Sequence, residues 1–270
     1  MNILDRFTLT GHVAVVTGAG RGIGAATAVA FAQAGADVVI SSRTADQLEA
    51  VAAQVRDAGR RALVVAADLS DLDAVAGLAG AAYDEFGRVD AVVNNVGGTI
   101  PNAFLDTDVD YLEEAFRFNV STAHALSRAA VPFMLKGPDE AQKAIVNISS
   151  MMGRASGRGY LAYGTAKAAL AHWARLAARD LAPRIRVNGI FVGSVSTSAL
   201  DFVTNDEDTL RQMEEKTPLG RVGEAEDIAA GALYLCSRAG QYVTGKMLEV
   251  DGGIQEPNLD LNLPDLQSGT

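Results

Sequence analysis

Cysteine is nearly missing from this chain. Its single Cys236 excludes an internal disulfide and a cysteine-based metal cluster, and it suits a reducing compartment. Positive charge is short as well: 23 Lys and Arg stand against 33 Asp and Glu, a net charge of −10. So acidic a chain has no basic stripe for phosphates, which argues against a nucleic-acid partner and against an anionic membrane surface. No apolar run reaches membrane-spanning length. The stretch Met1 to Phe7 lacks a charged start followed by an apolar core, so no signal peptide is expected. Together these absences lead us to expect a cytoplasmic protein. The three histidines, His12, His124 and His172, are scattered without ligand or triad spacing, and we expect each to be structural or superficial. The acidic run Asn205-Asp206-Glu207-Asp208 lacks the glycine and terminal glutamate of a calcium loop, so no metal is expected.

What the chain has in plenty is aliphatic and small. Hydrophobic residues make up 49%, aromatics only 6%, and there are 27 glycines in 270 residues. That composition fits helices packed on a parallel sheet, and the length fits one α/β unit. Strand and helix signals alternate. Strands are expected at 13–16, 37–42, 62–66, 89–94, 144–148, 185–190 and 247–250. Helices are expected after the first glycine-rich turn and over 45–58, 71–86, 111–135 (one long or two abutting), 160–181 and 225–237. Repeated β-α units with short connections predict a single-domain, Rossmann-type doubly wound parallel sheet of about seven strands, with helices on both faces. The core spans about 10–255, and 256–270 forms a tail.

The organising stretch is Val13 to Gly24, VAVVTGAGRGIG. A short β-branched run with no alternation reads as a strand covered on both faces. Gly18, Gly22 and Gly24 then permit a tight turn and close approach of a ligand. The helix that follows points unpaired N–H groups and its positive dipole end at whatever lies above, and a diphosphate is the natural occupant.

In such a sheet, ligands bind beyond the carboxyl ends of the strands. The residues there are Thr17 to Gly24, Ser42-Arg43, Asp68-Leu69, Asn94 to Gly97, Ser149-Ser150 and Val192 to Thr197. On the helix expected over 160–181, Tyr163 and Lys167 lie four apart on one face. A nearby ammonium stabilises a phenolate and brings its pKa toward the working pH, where it shuttles protons better. A hydroxyl at Ser150 is placed to orient a substrate oxygen, or merely to cap a turn.

In order and rough spacing, Thr17-Gly18-x-x-x-Gly22-x-Gly24, Asn94-Asn95-Val96-Gly97, Asn119, Ser150, Tyr163-x-x-x-Lys167 and Val192-Gly193-x-x-x-Thr197 resemble the short-chain dehydrogenase/reductase family. Within it, Asn95 to Gly98 and Gly252 to Glu256 are similar to bacterial hydroxysteroid dehydrogenases, and the 3-oxoacyl-carrier-protein reductases are also similar. The resemblance implies hydride transfer between a nicotinamide cofactor and a secondary alcohol or ketone. Tyr163 would be the acid/base, Lys167 would tune it and hold the ribose, Ser150 would position the carbonyl, and Asn119 would hold a water relaying protons to Lys167. Cofactor contacts are expected from Gly18, Arg21, Gly22, Ile23, Gly24, Ser42, Arg43, Asp68 (at the adenine edge), Leu69, Asn95, Val96, Gly97, Tyr163, Lys167, Gly193, Val195 and Thr197. Two positions depart from the usual pattern: Val96 stands for alanine and Val192 for proline, implying a slightly narrower pocket and a looser loop.

Strand two ends without the carboxylate that accepts from ribose hydroxyls in NAD enzymes, while Arg43 and Arg21 offer planar donors to a 2′-phosphate. NADP(H) is therefore expected over NAD(H). The family further implies a mobile lid over 196–217 and a homotetramer, with the His172-Trp173 face at a contact. Leucines at 259, 261, 263 and 266 lead us to expect an extended tail against a neighbouring subunit, the alternative being disorder. The reading from another class is an NADP(H)-binding redox sensor without turnover.

Overall fold

The computed structural model describes residues 2–137, 142–197, 206–261 and 263–266. Seven strands, β1 (Val13–Thr17), β2 (Asp37–Ser42), β3 (Ala62–Ala66), β4 (Ala91–Asn94), β5 (Ala144–Ile148), β6 (Arg186–Val192) and β7 (Met247–Val250), form one sheet in the order β3-β2-β1-β4-β5-β6-β7. Every pairing is parallel. The order reverses between β1 and β4, which opens a crevice above their carboxyl ends.

The period of two along β1 explains the three-layer build. Ala14 and Val16 point into a core with Phe31 of α1 (Gly22–Gln33), Leu48 and Val51 of α2 (Ala45–Asp57), and Ile228 of a helix over Ala225–Cys236. Val13 and Val15 point the other way, onto Leu78 of α3 (Leu72–Phe86), Leu126 of a helix over Thr122–Lys136, and Ala174 of a helix over Leu161–Leu181. All five residues of β1 are buried. With no wet face, the strand needs no polar alternation, which is why its sequence is a continuous apolar run.

The expected elements are present, with local differences. Residues expected as one long or two abutting helices form α4 (Val109–Phe116), a π-helical turn over Arg117–Ser121, and α5 (Thr122–Lys136). Strand four begins at Ala91 and not at Val89; just before it, the Asp90 side chain pairs with Arg88 at 2.7 Å and accepts from the Val13 amide at 2.9 Å. Asp71 is the cap of α3 and not its first residue. The later helices are α6 (Leu161–Leu181), α7 (Glu207–Glu215) and α8 (Ala225–Cys236). Helix α7 was not expected; its single buried residue, Met213, is what docks it. Residues 198–205 of the expected lid lie outside the described residues.

The tail also has a seat within its own chain. Its described residues lie against their own chain: Leu261 and Leu263 pack over Gly159, and Arg158 pairs with Asp265 at 3.0 Å. The alternation puts these two leucines on one side, over Gly159. Among the described residues, no helix is long and apolar enough to cross a membrane.

Candidate active site

The glycine turn forms the floor of a cleft of about 780 Å³ over the carboxyl ends of the strands. Gly18 and Gly22 have φ of +64° and +56°, a left-handed backbone that favours glycine. A Cβ on Gly24 would lie 2.3 Å from the Gly18 carbonyl oxygen, so only glycine lets α1 close onto the turn. Arg21 caps α1 without a side-chain hydrogen bond, and the first turn has no acidic residue. The leading amides therefore face the cleft with their partial positive charge uncompensated, which makes an anion site. Thr197 stands over this point, since a Cβ on Gly22 would come within 3.2 Å of its methyl group.

Asn95 lines the cleft, but its amide serves as a brace. Nδ2 donates to the carbonyls of Thr17 at 3.0 Å and Gly18 at 3.2 Å, while the Thr17 hydroxyl accepts from the amides of Asn95 and Val96. The end of β4 thus holds the turn after β1 in shape. Val96 lines the same wall and packs on the second core. Val192 remains inside β6, paired with Val250, and Gly193 follows, so close to Asp251 that a Cβ would fall 2.5 Å from its Cα. Val195 bridges to Gly223, placing both Gly193 and Val195 in the lining.

At the β2–β3 end, the cleft is lined by Ser42, Arg43, Asp68, Leu69 and, from α2, Gln47. The Ser42 hydroxyl is buried with no partner, and a Cβ on Gly20 would come within 2.6 Å of it. Arg21 and Arg43 are exposed at the rim, and neither is in an ion pair among the described residues. Asp68 accepts from the Ser70 amide at 3.0 Å and hydroxyl at 2.9 Å. Those bonds hold its carboxyl below the usual range, with a smaller pull from Arg43.

At the β5–β6 end, the loop after β5 meets α6. Gly153 and Gly164 permit the contact: a Cβ on either would lie 2.9 Å from backbone of the other element. The Ser149 hydroxyl donates to the Lys167 carbonyl at 2.9 Å, and Lys167 Nζ donates to the Ile148 carbonyl at 3.0 Å. Ser149 is thus a clip, and Ser150 is the hydroxyl that reaches Tyr163. Ile23, Ser150, Tyr163 and Lys167 all line the cleft.

The electrostatics differ from the expectation. Lys167 Nζ lies 5.6 Å from the centre of the Tyr163 ring and is occupied by Ile148. Burial pushes the Tyr163 phenol above its ordinary value; the hydrogen bond with Ser150 pulls it partly back, and Tyr160 adds a smaller upward push. Burial also brings the Lys167 ammonium down to about 8. Desolvation disfavours both charged forms, so burial and not the ammonium sets the direction of the phenol's shift.

Asn119 sits in the π-helical turn, fully buried. Its Nδ2 donates to Ala115 at 2.8 Å, Gly98 at 3.1 Å and Thr99 at 3.3 Å, and its Oδ1 accepts from the Gly98 amide at 2.9 Å. Its side chain thereby pins the Gly97-Gly98 strand exit beside Lys167. A Cβ on Gly97 would be 2.6 Å from Asn119 Oδ1 and 2.8 Å from Lys167 Nζ. Of the histidines, His124 accepts from Trp173 at 3.3 Å, His172 is exposed, and both ring nitrogens of His12 are buried without partners.

The cleft also takes in Pro101, Phe118, Tyr160, Met213, Pro257, Asn258 and Leu259. None of these was expected in the site. They come from several elements and from the tail, and Asn258 reaches the cleft through Ser194, 64 positions away, in a 2.7 Å hydrogen bond.

The family model described as enoyl-(acyl carrier protein) reductase matches residues 18–255. An uncharacterized oxidoreductase of Mycobacterium tuberculosis is 59% identical over 98% of this chain and 100% of its own length. The 7alpha-hydroxysteroid dehydrogenase of Escherichia coli is 38% identical over 94% of this chain and 98% of its own. A solved 7 alpha-hydroxysteroid dehydrogenase complexed with NADH and 7-oxo glycochenodeoxycholic acid superposes with a TM-score of 0.88 at 37% identity, covering 95% of this chain and 99% of that one. With its parallel sheet, its glycine turn under an open helix start and these relatives, the chain belongs to the short-chain dehydrogenase/reductase family of nicotinamide-dependent oxidoreductases.

Proposed function

We propose that this enzyme is an NADP(H)-dependent oxidoreductase of secondary alcohols and ketones, with Tyr163 as its general acid/base. The observation that carries the reading is the meeting of Ser150, Tyr163 and Lys167, from two different elements, in the same cleft as the uncapped start of α1. An acid–base set at one end and an anion site in the middle suit a dinucleotide laid along the strand ends. The orphan Ser42 hydroxyl and the unpaired Arg21 and Arg43 fit its adenosine end.

The bound nicotinamide supplies the hydride chemistry. The chain's own residues do the rest. In the reductive direction, the Ser150 hydroxyl donates to the substrate carbonyl oxygen and orients it, and the Tyr163 phenol gives that oxygen its proton. The Lys167 ammonium, 5.6 Å from the ring centre, then stabilises the phenolate left behind. Oxidation runs the same proton backwards. Asn119 acts by holding the Gly97-Gly98 backbone against Lys167. Arg21 and Arg43 give NADP(H) its preference, since no carboxylate stands at Ser42 to accept from ribose hydroxyls. The family likeness extends the reading to a small alcohol or ketone as substrate and to a homotetramer.

The test is NADPH consumption over a panel of ketones, with Tyr163→Phe as control. Turnover should fall about 100- to 10,000-fold in the variant while its NADPH affinity holds. Turnover by the variant within a few-fold of the parent would remove Tyr163 from the role.

A further inference from the structure

The reading above leaves the substrate open, and the tail narrows it. Among the described lining residues, the charged side chains are Arg21, Arg43 and Asp68 at the β2–β3 end, and Lys167, whose ammonium is taken by Ile148. The β5–β6 end, where a substrate would meet Tyr163, is lined by Met151, Met152, Tyr160, Met213, Pro257 and Leu259. Two of these come from the segment after β7. That segment is built in as a wall. Pro257 packs on Gly157 beside Met152 and Tyr160: a Cβ there would be 2.9 Å from both Pro257 Cγ and Met152 Cε.

Two clamps hold the wall. Asn258, only 3% exposed, accepts from the Ser194 hydroxyl at 2.7 Å and donates to the Thr217 hydroxyl at 3.0 Å and the Met213 carbonyl at 3.3 Å. This ties the tail to the loop after β6 and to α7. Farther out, Arg158 donates to the Pro264 carbonyl at 2.7 Å and to Asp265 at 3.0 Å. Between the clamps, Leu261 and Leu263 cover Gly159, where a Cβ would fall within 3.0 Å of both. A buried, fully partnered amide in a chain terminus is a specific device, because a floppy end gains nothing from burying one.

We propose that Pro257 to Leu259, held in place by the clamps at Asn258 and Arg158, form the specificity wall of the substrate end, and that the wall selects bulky apolar alcohols and ketones carrying no charge near the reacting carbon. This rests on the proposed function. An apolar enclosure favours substrate by the apolar area it covers, and it disfavours small polar ketones and charged ones, which lose hydration there without replacement partners. The wall touches substrate and not the reacting atoms, so its loss acts on KM.

The experiment compares the holoenzyme with Arg158→Ala, Asn258→Ala and a deletion of 257–270. The probes are trans-1-decalone, bulky and apolar, and hydroxyacetone, small and polar. Kinetics, NADPH affinity and calorimetric binding of decalone to the NADP-loaded enzyme are measured together. The parent should prefer decalone. The deletion should raise its KM about 10- to 100-fold, far more than that of hydroxyacetone, and Arg158→Ala, outside the cleft, should raise it about two- to fivefold with kcat, hydroxyacetone KM and NADPH affinity nearly unchanged. Arg158 is exposed, so its variant remains informative if Asn258→Ala unfolds. Equal losses on both ketones, or lost NADPH affinity, would show a merely structural tail and overturn the proposal. Turnover of decalone unaffected by all three changes would overturn it too, leaving the catalytic reading intact. Tail-dependent decalone binding without turnover would support the wall and sink the catalytic reading. A parent that neither binds nor reduces decalone would overturn the substrate class.

Discussion

Tyr163 and Lys167 share one face of α6, with the ammonium 5.6 Å from the centre of the phenol ring and turned onto the carbonyl of Ile148. The pair is thus held by the end of β5 as much as by the helix. Its two groups are each disfavoured in their charged forms by the same burial.

The lysine makes a measurable contribution to stability against pH. Its ammonium titrates near 8 in the folded chain against an ordinary 10.5. Between those values the unfolded chain binds more protons, so this group adds stability as pH rises and loses it as pH falls through about 8. Relative to Lys167→Met, the parent's unfolding free energy should grow by up to roughly 3 kcal/mol from pH 8 to 10.5. Urea unfolding of both proteins across that range is the check, and a flat difference would contradict it.

Under the proposed mechanism, the Tyr163 phenol governs activity against pH. Its value lies above the ordinary 10, so it stays protonated at neutral pH. Ketone reduction, which uses that proton, should be insensitive to this group between about pH 6 and 8, whereas alcohol oxidation should climb about tenfold per unit. Profiles of kcat/KM in both directions test this. An oxidation rate already level at pH 7 would mean a far more acidic phenol.

Cofactor choice should follow the two free arginines. Arg43→Ala and Arg21→Ala should each weaken NADPH binding about 10-fold or more, from the loss of charge-assisted hydrogen bonds, and change NADH binding by less than about threefold. The NADPH advantage should also shrink with salt. Fluorescence titration of both cofactors decides it: an NADPH preference that survives both substitutions would place the 2′-phosphate elsewhere.

Gly97 tests the packing behind the site. Asn119 cannot retreat from a new Cβ, because its amide is held by Ala115, Gly98 and Thr99, and Lys167 can retreat only by leaving Ile148. Gly97→Ala should therefore cost about 1–3 kcal/mol of stability from overpacking and lower kcat at least about tenfold. A thermal melt and steady-state kinetics together would show whether the two losses coincide.

Much of this was legible along the chain because the signals are local. Continuous β-branched runs mark strands with no wet face. Gly18, Gly22 and Gly24 mark a turn that a larger residue would block, and Tyr163 and Lys167 declare a shared face by spacing alone. The role of Asn95 was legible only as a position; its amide braces Thr17 and Gly18, a contact between distant segments. The π-helical turn at Asn119 was hidden, since one extra residue in a helix leaves no mark on apolar periodicity. So was α7, of whose nine residues Met213 is the buried one.

By itself, then, the order of residues determined the parallel sheet, the glycine turn and the face that Tyr163 and Lys167 share, since each follows from backbone sterics, periodicity or spacing within a few residues. Only the tertiary structure decided how those groups are tuned and what faces the substrate. Desolvation at Tyr163 and Lys167 depends on everything packed around them. The seat of the tail on Gly159, Ser194 and Thr217 depends on surfaces that exist only once the sheet and helices have closed.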